Sequence, residues 1–334
     1  MPDAQHGGDV IGLHGAYQYL HGGSLRQRHL RRIVRDTCII YNPAAGRGRA
    51  RKAIEAMRQW AAPHAELRAS NCEGHLVELA KQAAEEGFQR IIAAGGDGTV
   101  HEVANGILQA NKPEAILGVW PIGSSNDYAA ALGIRNWFRS QGKAETLRAK
   151  PLDVGVVRSG NRERFYVACL GIGFNGMIAL ESRKIRWLRG MPLYTLAFLR
   201  AMLWHYATPK MLLKFDTEEI DKATLVTSIN IGIREGGFPI TKNAKLDDGL
   251  LDWVHVANLS RWGLIRYLPN LMTGNLPLKH AKLRTGTSTK VWLRSEAPLC
   301  VHADGEFFCK PDDGIYELNV ELLPKRLLVE VGEG

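Results

Sequence analysis

Residues 90–110 read RIIAAGGDGTVHEVANGILQA, and this stretch decides the fold. Its apolar run, Ile91–Ala94, predicts a buried strand, and the residues after Thr99 are predicted to form a helix to about Ala110. Strand and helix meet at the glycine-rich turn GGDGT, residues 95–99. The stretch is therefore typical of a parallel strand that passes through a tight turn into a helix.

The glycine-rich turn suits phosphate binding. Glycines let the backbone approach a phosphate closely, and a helix N-terminus presents free N–H groups and a positive dipole end. Since like charges repel, we expect Asp97 to hold Mg²⁺, directly or through water, or to hydrogen-bond a hydroxyl. A plain turn capped by Asp97 and Thr99 is the alternative for an isolated loop. The sequence has no GxxxxGK[ST] motif, which excludes P-loop chemistry.

The flanking sequence repeats the alternation of strand and helix. Strands are predicted at 37–41, 65–69 and 116–120, and helices from the turn after residue 41 to about Trp60 and over 74–86. Short connections between alternating strands and helices predict a parallel α/β sheet.

A second polar loop, PIGSSNDYA at residues 121–129, follows the strand predicted at 116–120. The loops after parallel strands gather at one edge of the sheet, so this loop and GGDGT are expected to share a crevice. Ser124 can donate to a phosphate or to the nucleotide, and Asp127 can join Asp97 in a water-mediated Mg²⁺ network. Taken alone, the loop could be a helix N-cap and nothing more.

After about residue 150 short β-like runs dominate, and they predict a mostly antiparallel β domain with a few helices. We therefore predict a nucleotide-binding α/β domain over 36–148 and a second, β-rich domain over 149–321. Residues 322–334 are expected to return to the first domain. Residues 1–35, which are rich in Gly and His, are predicted to be a disordered extension.

Amino-acid composition restricts the partners and the cellular compartment that we expect. Lys and Arg exceed Asp and Glu by nine, which suits a phosphate-bearing partner or a generally basic surface. The five cysteines are scattered without zinc spacing, and no signal peptide is recognisable, so we expect a cytoplasmic protein. No segment reaches the roughly 18–20 apolar residues of a spanning helix.

Six motifs, in this order and spacing, resemble the catalytic domain of the diacylglycerol kinase family, which includes bacterial soluble lipid kinases and is similar to sphingosine and ceramide kinases. They are Asn42-Pro43 with Gly46, then 95–99, 121–129, 171–174 (GIGF), 243–252 (NAKLDDGLLD) and 304–306 (DGE). The resemblance spans about residues 37–331.

The resemblance implies a Rossmann-like N-terminal α/β domain, as in NAD kinases and diacylglycerol kinases, followed by a β-sandwich. It implies transfer of the γ-phosphate of ATP, with Mg²⁺, to a lipid hydroxyl. Glu306 would be the general base, although Asp-Gly before it is also a common surface hairpin signal. Asp97 would be the second catalytic residue. A structural Mg²⁺ would be bound by Asp248 and the backbone carbonyls of Lys245 and Leu250. The implied ATP-binding residues are Asn42, Ser70, Gly95, Gly96, Asp97, Gly98, Thr99, Glu102, Ser124, Asn126 and Asp127.

Four positions depart from the family pattern. His101 replaces an Asn, Ser70 and Ser124 replace threonines, and Thr241 replaces a proline. The serines keep the hydroxyl. An imidazole cannot copy the paired donor and acceptor of an amide, which leaves the nucleotide contact at His101 open.

A basic and aromatic segment is the candidate membrane contact. Residues 183–189 read RKIRWLR and precede a helix-like run over 193–206. Basic residues beside Trp and Leu suit a membrane interface, so we expect a peripherally associated enzyme acting on a lipid. A core helix is the alternative. A dimer is the expected assembly, and nucleic acid is not an expected partner because no known binding module is recognisable.

Two rival functions stay open. NAD kinases also use a GGDG-type loop, so a soluble kinase of a small molecule is one alternative. A non-catalytic nucleotide-binding or membrane adaptor is the other.

Overall fold

A computed structural model describes residues 36–43, 54–55, 57–59, 65–111, 114–123, 125–134, 147–185, 187–188 and 190–332. The predicted extension 1–35, the turn glycines at 46 and 48, and Ser124 lie outside these residues.

Strands and helices are numbered here in chain order. The strands are β1 Thr37–Tyr41, β2 Glu66–Ala69, β3 Arg90–Gly95, β4 Ile116–Pro121, β5 Leu147–Ser159, β6 Arg162–Tyr166, β7 Cys169–Gly173, β8 Lys210–Lys214, β9 Glu219–Asn230, β10 Arg234–Glu235, β11 Phe238–Pro239, β12 Leu251–Ala257, β13 Leu283–Ser288, β14 Lys290–Ser295, β15 Val301–Ala303, β16 Glu306–Cys309 and β17 Glu317–Gly332. The helices are α1 His75–Glu85, α2 Asp97–Gln109, α3 Asp127–Ala131, α4 Phe174–Lys184, α5 Gly190–Trp204 and α6 Arg261–Thr273.

The N-terminal half has the predicted parallel sheet. β1 pairs in parallel with both β2 and β3, and β3 pairs in parallel with β4. One face of β1, β3 and β4 packs against α1 and α2. The side chains of the other face are buried in a second cluster with Ile54 and Met57, so both faces of the parallel sheet are covered. The carboxyl ends of β3 and β4 consequently lie side by side, with Gly95 opposite Pro121.

The second half is antiparallel, as predicted. β9 lies between β7 and β12, and β15 joins β7 to β16. The prediction of one strand over 164–170 was wrong, because the chain breaks between β6 and β7. There the backbone amides of Val167, Ala168 and Cys169 donate to the carboxylate of Asp304.

Two long strands connect the halves. β5 pairs with β17 from Leu147 to Arg158, and β17 also pairs in parallel with β4. Val154 belongs to the core of the parallel sheet and Val157 to the core of the sandwich. The fold class is therefore α/β plus β, as predicted. The predicted boundary at 148/149 falls inside β5, and the domain limits stay a prediction.

Candidate active site

The glycine-rich turn lies between β3 and α2. Gly96 is extended and Asp97 begins the helix. A Cβ at Gly95 would lie 2.1 Å from Thr99 Oγ1, so only glycine leaves room for the Thr99 side chain, which is buried. Thr99 therefore packs beneath the turn and supports its shape.

The loop after β4 meets this turn, as predicted. The backbone N–H groups of Ile122 and Gly123 donate to the Gly95 carbonyl at 2.8 and 3.0 Å. Asn126 adopts a left-handed conformation, with φ of 55°, and its Nδ2 donates to the Gly123 carbonyl. The backbone N–H of Tyr128 donates to Asp97 Oδ1 at 3.1 Å, so the carboxylate of one loop organises the other.

The Asp304-Gly305 hairpin reaches the same place from the sandwich. Both residues have positive φ, 52° and 87°, which is the geometry of a two-residue turn between β15 and β16. A Cβ at Gly98 would lie 3.1 Å from Glu306 Oε1. The turn is thus a hairpin and also places Glu306 against the first turn of α2.

Asp304 holds the halves together. Each of the three backbone amides at the β6–β7 break donates to it at 2.9 Å, and His101 Nδ1 lies 2.9 Å from Oδ2. Burial acts to raise the pKa of Asp304, but the interaction with His101 and the hydrogen bonds from the backbone of Cys169 and Val167 together hold that pKa below its usual range. His101 is fully buried. His101, which stands where the family has Asn, therefore links α2 to the Asp304 hairpin and does not lie at the mouth of the cleft.

The cleft carries an excess of carboxyl groups. Burial and the charge of Asp97 raise the pKa of Asp127. Burial also raises the pKa of Asp97, and hydrogen bonds from the backbone of Tyr128 and Asp127 offset only part of it. Burial and the charge of Glu306 raise the pKa of Glu102, whose Oε2 has no hydrogen-bond partner among the described residues. Asp97 and Asp127 line the cleft, and a pair of carboxylates favours a cation such as Mg²⁺. No three His, Cys, Asp or Glu side chains of the described residues form a metal-binding cluster, so the remaining ligands would come from a nucleotide or water.

Arg183 is the cationic partner of Glu306. Its guanidinium donates to Glu306 Oε2 and, at 3.3 Å, to the Gly305 carbonyl. It also lies over the Phe307 ring, 4.8 Å from the centroid. The sequence pattern assigned Arg183 to membrane contact, and nothing local indicated that it meets Glu306.

The other predicted nucleotide residues lie at strand ends. Asn42 directly follows β1, and Ser70 follows β2 with its N–H donating to the Tyr41 carbonyl at 2.9 Å. Both therefore lie at the carboxyl edge of the parallel sheet, where ligands bind in such folds.

The predicted metal loop is separate from the cleft. Asp248 is exposed, and its Oδ1 accepts from the Leu250 N–H at 3.2 Å. Asp153 fixes the loop by accepting from the Gly249 N–H at 2.7 Å. Lys245, Asp248 and Leu250 are not among the residues lining the cleft. Within the described residues, no three His, Cys, Asp or Glu side chains form a metal-binding cluster, so any site here would depend on backbone carbonyls and water.

An apolar cavity continues from the cleft. It has a volume of about 110 Å³ and lies between α4, α5, α6 and the sheet. Ile178, Phe198, Ile240 and Leu271 line both the cleft and this cavity, so the two are continuous.

Three tryptophans are exposed on or beside the helices that line the apolar cavity. Trp187 is 76% exposed, Trp204 at the end of α5 is 61% exposed, and Trp262 at the start of α6 is 81% exposed. Arg200 lies 4.7 Å from the Trp204 ring. The sequence pattern indicated the first two and missed Trp262. Among the described helices, none is long and apolar enough to cross a bilayer.

Comparison with known proteins agrees with this geometry. The profile of the diacylglycerol kinase catalytic domain matches residues 36–157, and that of the YegS C-terminal NAD kinase beta sandwich-like domain matches 168–330. A protein of Chromohalobacter salexigens named "Probable lipid kinase YegS-like" is 29% identical, over 81% of this chain and 86% of its own. A diacylglycerol kinase of Bacillus subtilis is 27% identical, over 80% and 91%. The crystal structure of a diacylglycerol kinase from Bacillus anthracis shares the fold, with a TM-score of 0.63 at 19% identity, covering 90% of this chain and 97% of that chain.

Proposed function

The chain belongs to the diacylglycerol kinase catalytic-domain family and is a lipid kinase, and we propose that it transfers the γ-phosphate of ATP to the hydroxyl of diacylglycerol or a similar lipid. The observation that carries this proposal is the approach of Glu306 to Gly98, at 3.1 Å from a Cβ built there. A carboxylate from one half thereby faces the phosphate-binding helix terminus of the other.

The proposed reaction is a direct transfer. Glu306 takes the proton of the lipid hydroxyl as its oxygen attacks the γ-phosphorus, and the bond from phosphorus to the bridging β–γ oxygen breaks to release ADP. The N–H groups at the start of α2 bind the phosphates, and Arg183 orients the Glu306 carboxylate. Asp97 and Asp127 fit Mg²⁺, directly or through water, and this ion would neutralise charge on the triphosphate.

A second Mg²⁺ is proposed for the loop around Asp248. The carboxylate of Asp248 and the backbone carbonyls of Lys245 and Leu250 are hard oxygen ligands from one loop. Asp153 already fixes that loop through the Gly249 N–H, which supports a structural and not a catalytic role.

The apolar cavity supports a lipid acceptor. Its walls include Phe174, Leu225 and Leu268, which suit an acyl chain. It opens into the cleft that Asp97 and Gly305, the residue before Glu306, line. A small polar acceptor such as NAD would gain little from binding in a cavity lined by apolar side chains.

Exposed Trp187, Trp204 and Trp262 support peripheral attachment to a membrane. Tryptophan at the headgroup level is favourable because its ring is apolar and its N–H is polar. Cytoplasmic residence and a dimer stay proposals that a fractionation experiment and light scattering would test.

The test is a panel of lipids in mixed micelles with radiolabelled ATP, with NAD as the soluble competitor, for wild type and Glu306→Gln. We expect wild type to phosphorylate a lipid and the variant to bind ATP normally while its turnover falls about 10²–10⁴-fold. Phosphorylation of NAD and no lipid would favour the soluble kinase. ATP binding without any transfer would favour the adaptor.

A further inference from the structure

Glu235 and His302 form a buried polar pair behind the catalytic hairpin. His302 Nε2 lies 3.1 Å from Glu235 Oε1, and each side chain is only 7% exposed. The Gly305 N–H donates to His302 Nδ1 at 3.3 Å, so Nε2 carries the proton and donates to Glu235. The pair is thus connected to the residue before Glu306.

The Glu235 carboxylate has an acceptor that the described protein atoms do not use. Oε1 accepts from His302 and also from Asn175 Nδ2, at 2.7 Å. Oε2 is buried and has no hydrogen-bond partner among the described residues. A buried carboxylate oxygen without a donor is unfavourable, so a donor that reaches it gains a strong hydrogen bond.

The backbone is shaped around the pair. A Cβ at Gly171 would lie 2.3 Å from His302 Nε2 and 2.4 Å from Glu235 Oε1. Only glycine therefore leaves room for both side chains at this point of β7.

The pair lies where the catalytic cleft meets the apolar cavity. Glu235, His302 and Asn175 all line the cleft, and Asn175 also lines the cavity. A lipid with its chain in the cavity and its acceptor hydroxyl at Glu306 would place the rest of its headgroup beside Glu235.

We propose that Glu235 binds the lipid headgroup and selects substrates that carry a second hydrogen-bond donor, a hydroxyl or an N–H, beside the hydroxyl that is phosphorylated. This inference rests on the proposed lipid kinase function. Diacylglycerol has one hydroxyl, the acceptor itself, and leaves Glu235 without a donor. Monoacylglycerol, phosphatidylglycerol and ceramide each keep a donor after the acceptor hydroxyl is used.

The experiment measures kcat/KM on diacylglycerol and on those three lipids, in one detergent, for wild type, Glu235→Gln and Glu235→Ala. Glu235→Gln keeps the length of the side chain and an oxygen for His302 and Asn175, while an amide donor replaces Oε2. Diacylglycerol is the internal control, because a purely structural disturbance would lower its turnover too. Melting temperatures establish that both variants fold.

We expect wild type to prefer at least one donor-bearing lipid to diacylglycerol. Both variants should lose about 10- to 100-fold in kcat/KM on that lipid and little on diacylglycerol. The inference is overturned if the variants lower all accepted lipids by one factor, or if wild type prefers diacylglycerol to all three. If wild type phosphorylates no lipid, the proposed function itself fails, which is a different result.

Discussion

At the scale of single residues, the site depends on glycines and carboxylates whose neighbours come from distant parts of the chain. Gly98 and Glu306 are 208 positions apart in the numbering and yet in contact range. Glu306 is held by Arg183, which the sequence pattern had placed at a membrane. The negative charge of Asp97, in the first loop, also raises the pKa of Asp127 in the second loop, because like charges repel. Pairwise contacts of this kind decide catalysis, since a misplacement of about 1 Å can cost on the order of 100-fold in rate.

Gly98→Ala tests that contact. The new methyl would lie 3.1 Å from Glu306 Oε1 and displace the carboxylate, so we expect turnover to fall about 10-fold or more. Alanine is favourable in a helix, so the melting temperature should be unchanged or higher. Turnover and thermal unfolding are measured together. In the double variant with Glu306→Gln the two losses should not add, because both act through one carboxylate. Wild-type turnover in Gly98→Ala would show that catalysis does not depend on the position of Glu306 beside Gly98.

At the scale of elements, strands and helices place side chains that local sequence does not explain. β12 buries His255 opposite Thr227 of β9, and His255 Nε2 has no hydrogen-bond partner among the described residues. α5 and α6 leave Trp204 and Trp262 in solvent while their other faces line the apolar cavity. The same elements thus contribute to stability, substrate binding and a surface for attachment.

The burial of His255 on β12 predicts that acid lowers the free energy of unfolding. Burial, with the charges of Arg284 and Lys222, lowers the pKa of His255 to about 4. Because the unfolded imidazole titrates near pH 6.5, the native state resists protonation and loses stability as pH falls from about 6.5 to 4. The slope is at most about 1.4 kcal/mol per pH unit. Urea unfolding of wild type and His255→Gln at several pH values measures it. An equal slope in the variant would show that other groups are responsible.

The exposed tryptophans predict attachment to lipid. Trp204→Ala with Trp262→Ala should weaken sedimentation with anionic vesicles and lower activity on vesicles, while activity on lipid in detergent micelles stays near wild type. Tyr316→Ala is the matched control, because Tyr316 is an exposed aromatic outside α5 and α6. Arg183 is unsuitable for this test because it contacts Glu306. Unchanged sedimentation of the double variant would contradict the assignment.

At the scale of the whole molecule, two long strands and residues of α2 connect the parallel sheet to the sandwich. β5 and β17 run through both cores. Asp304 adds the second connection, since it accepts from His101 of α2 and from three amides at the β6–β7 break. Asn105 of α2 also exchanges hydrogen bonds with the backbone of Phe165 in β6, so α2 and the sandwich meet at several neighbouring residues.

Asp304→Asn tests this connection. An amide would present a donor to backbone donors, so we expect a loss of about 3 kcal/mol or more in the free energy of unfolding, with a loss of turnover as the hairpin shifts. Chemical denaturation and the kinase assay measure the two effects. His101→Asn should be milder than His101→Ala, because an amide can still donate to Asp304. If Asp304→Asn unfolds like wild type, the carboxylate does not hold the halves together.

Local sequence by itself determined the order of strands and helices in the first half, because buried parallel strands are continuous apolar runs and glycine marks where they end. It also determined that 95–99 and 121–129 share an edge, since that follows from topology. Only the tertiary structure decided that Arg183 meets Glu306, that Asp304 breaks the strand predicted over 164–170, and that Glu235 meets His302. The physical reason is that burial, charge and hydrogen-bond partners depend on which distant segments pack together, and no spacing along the chain records them.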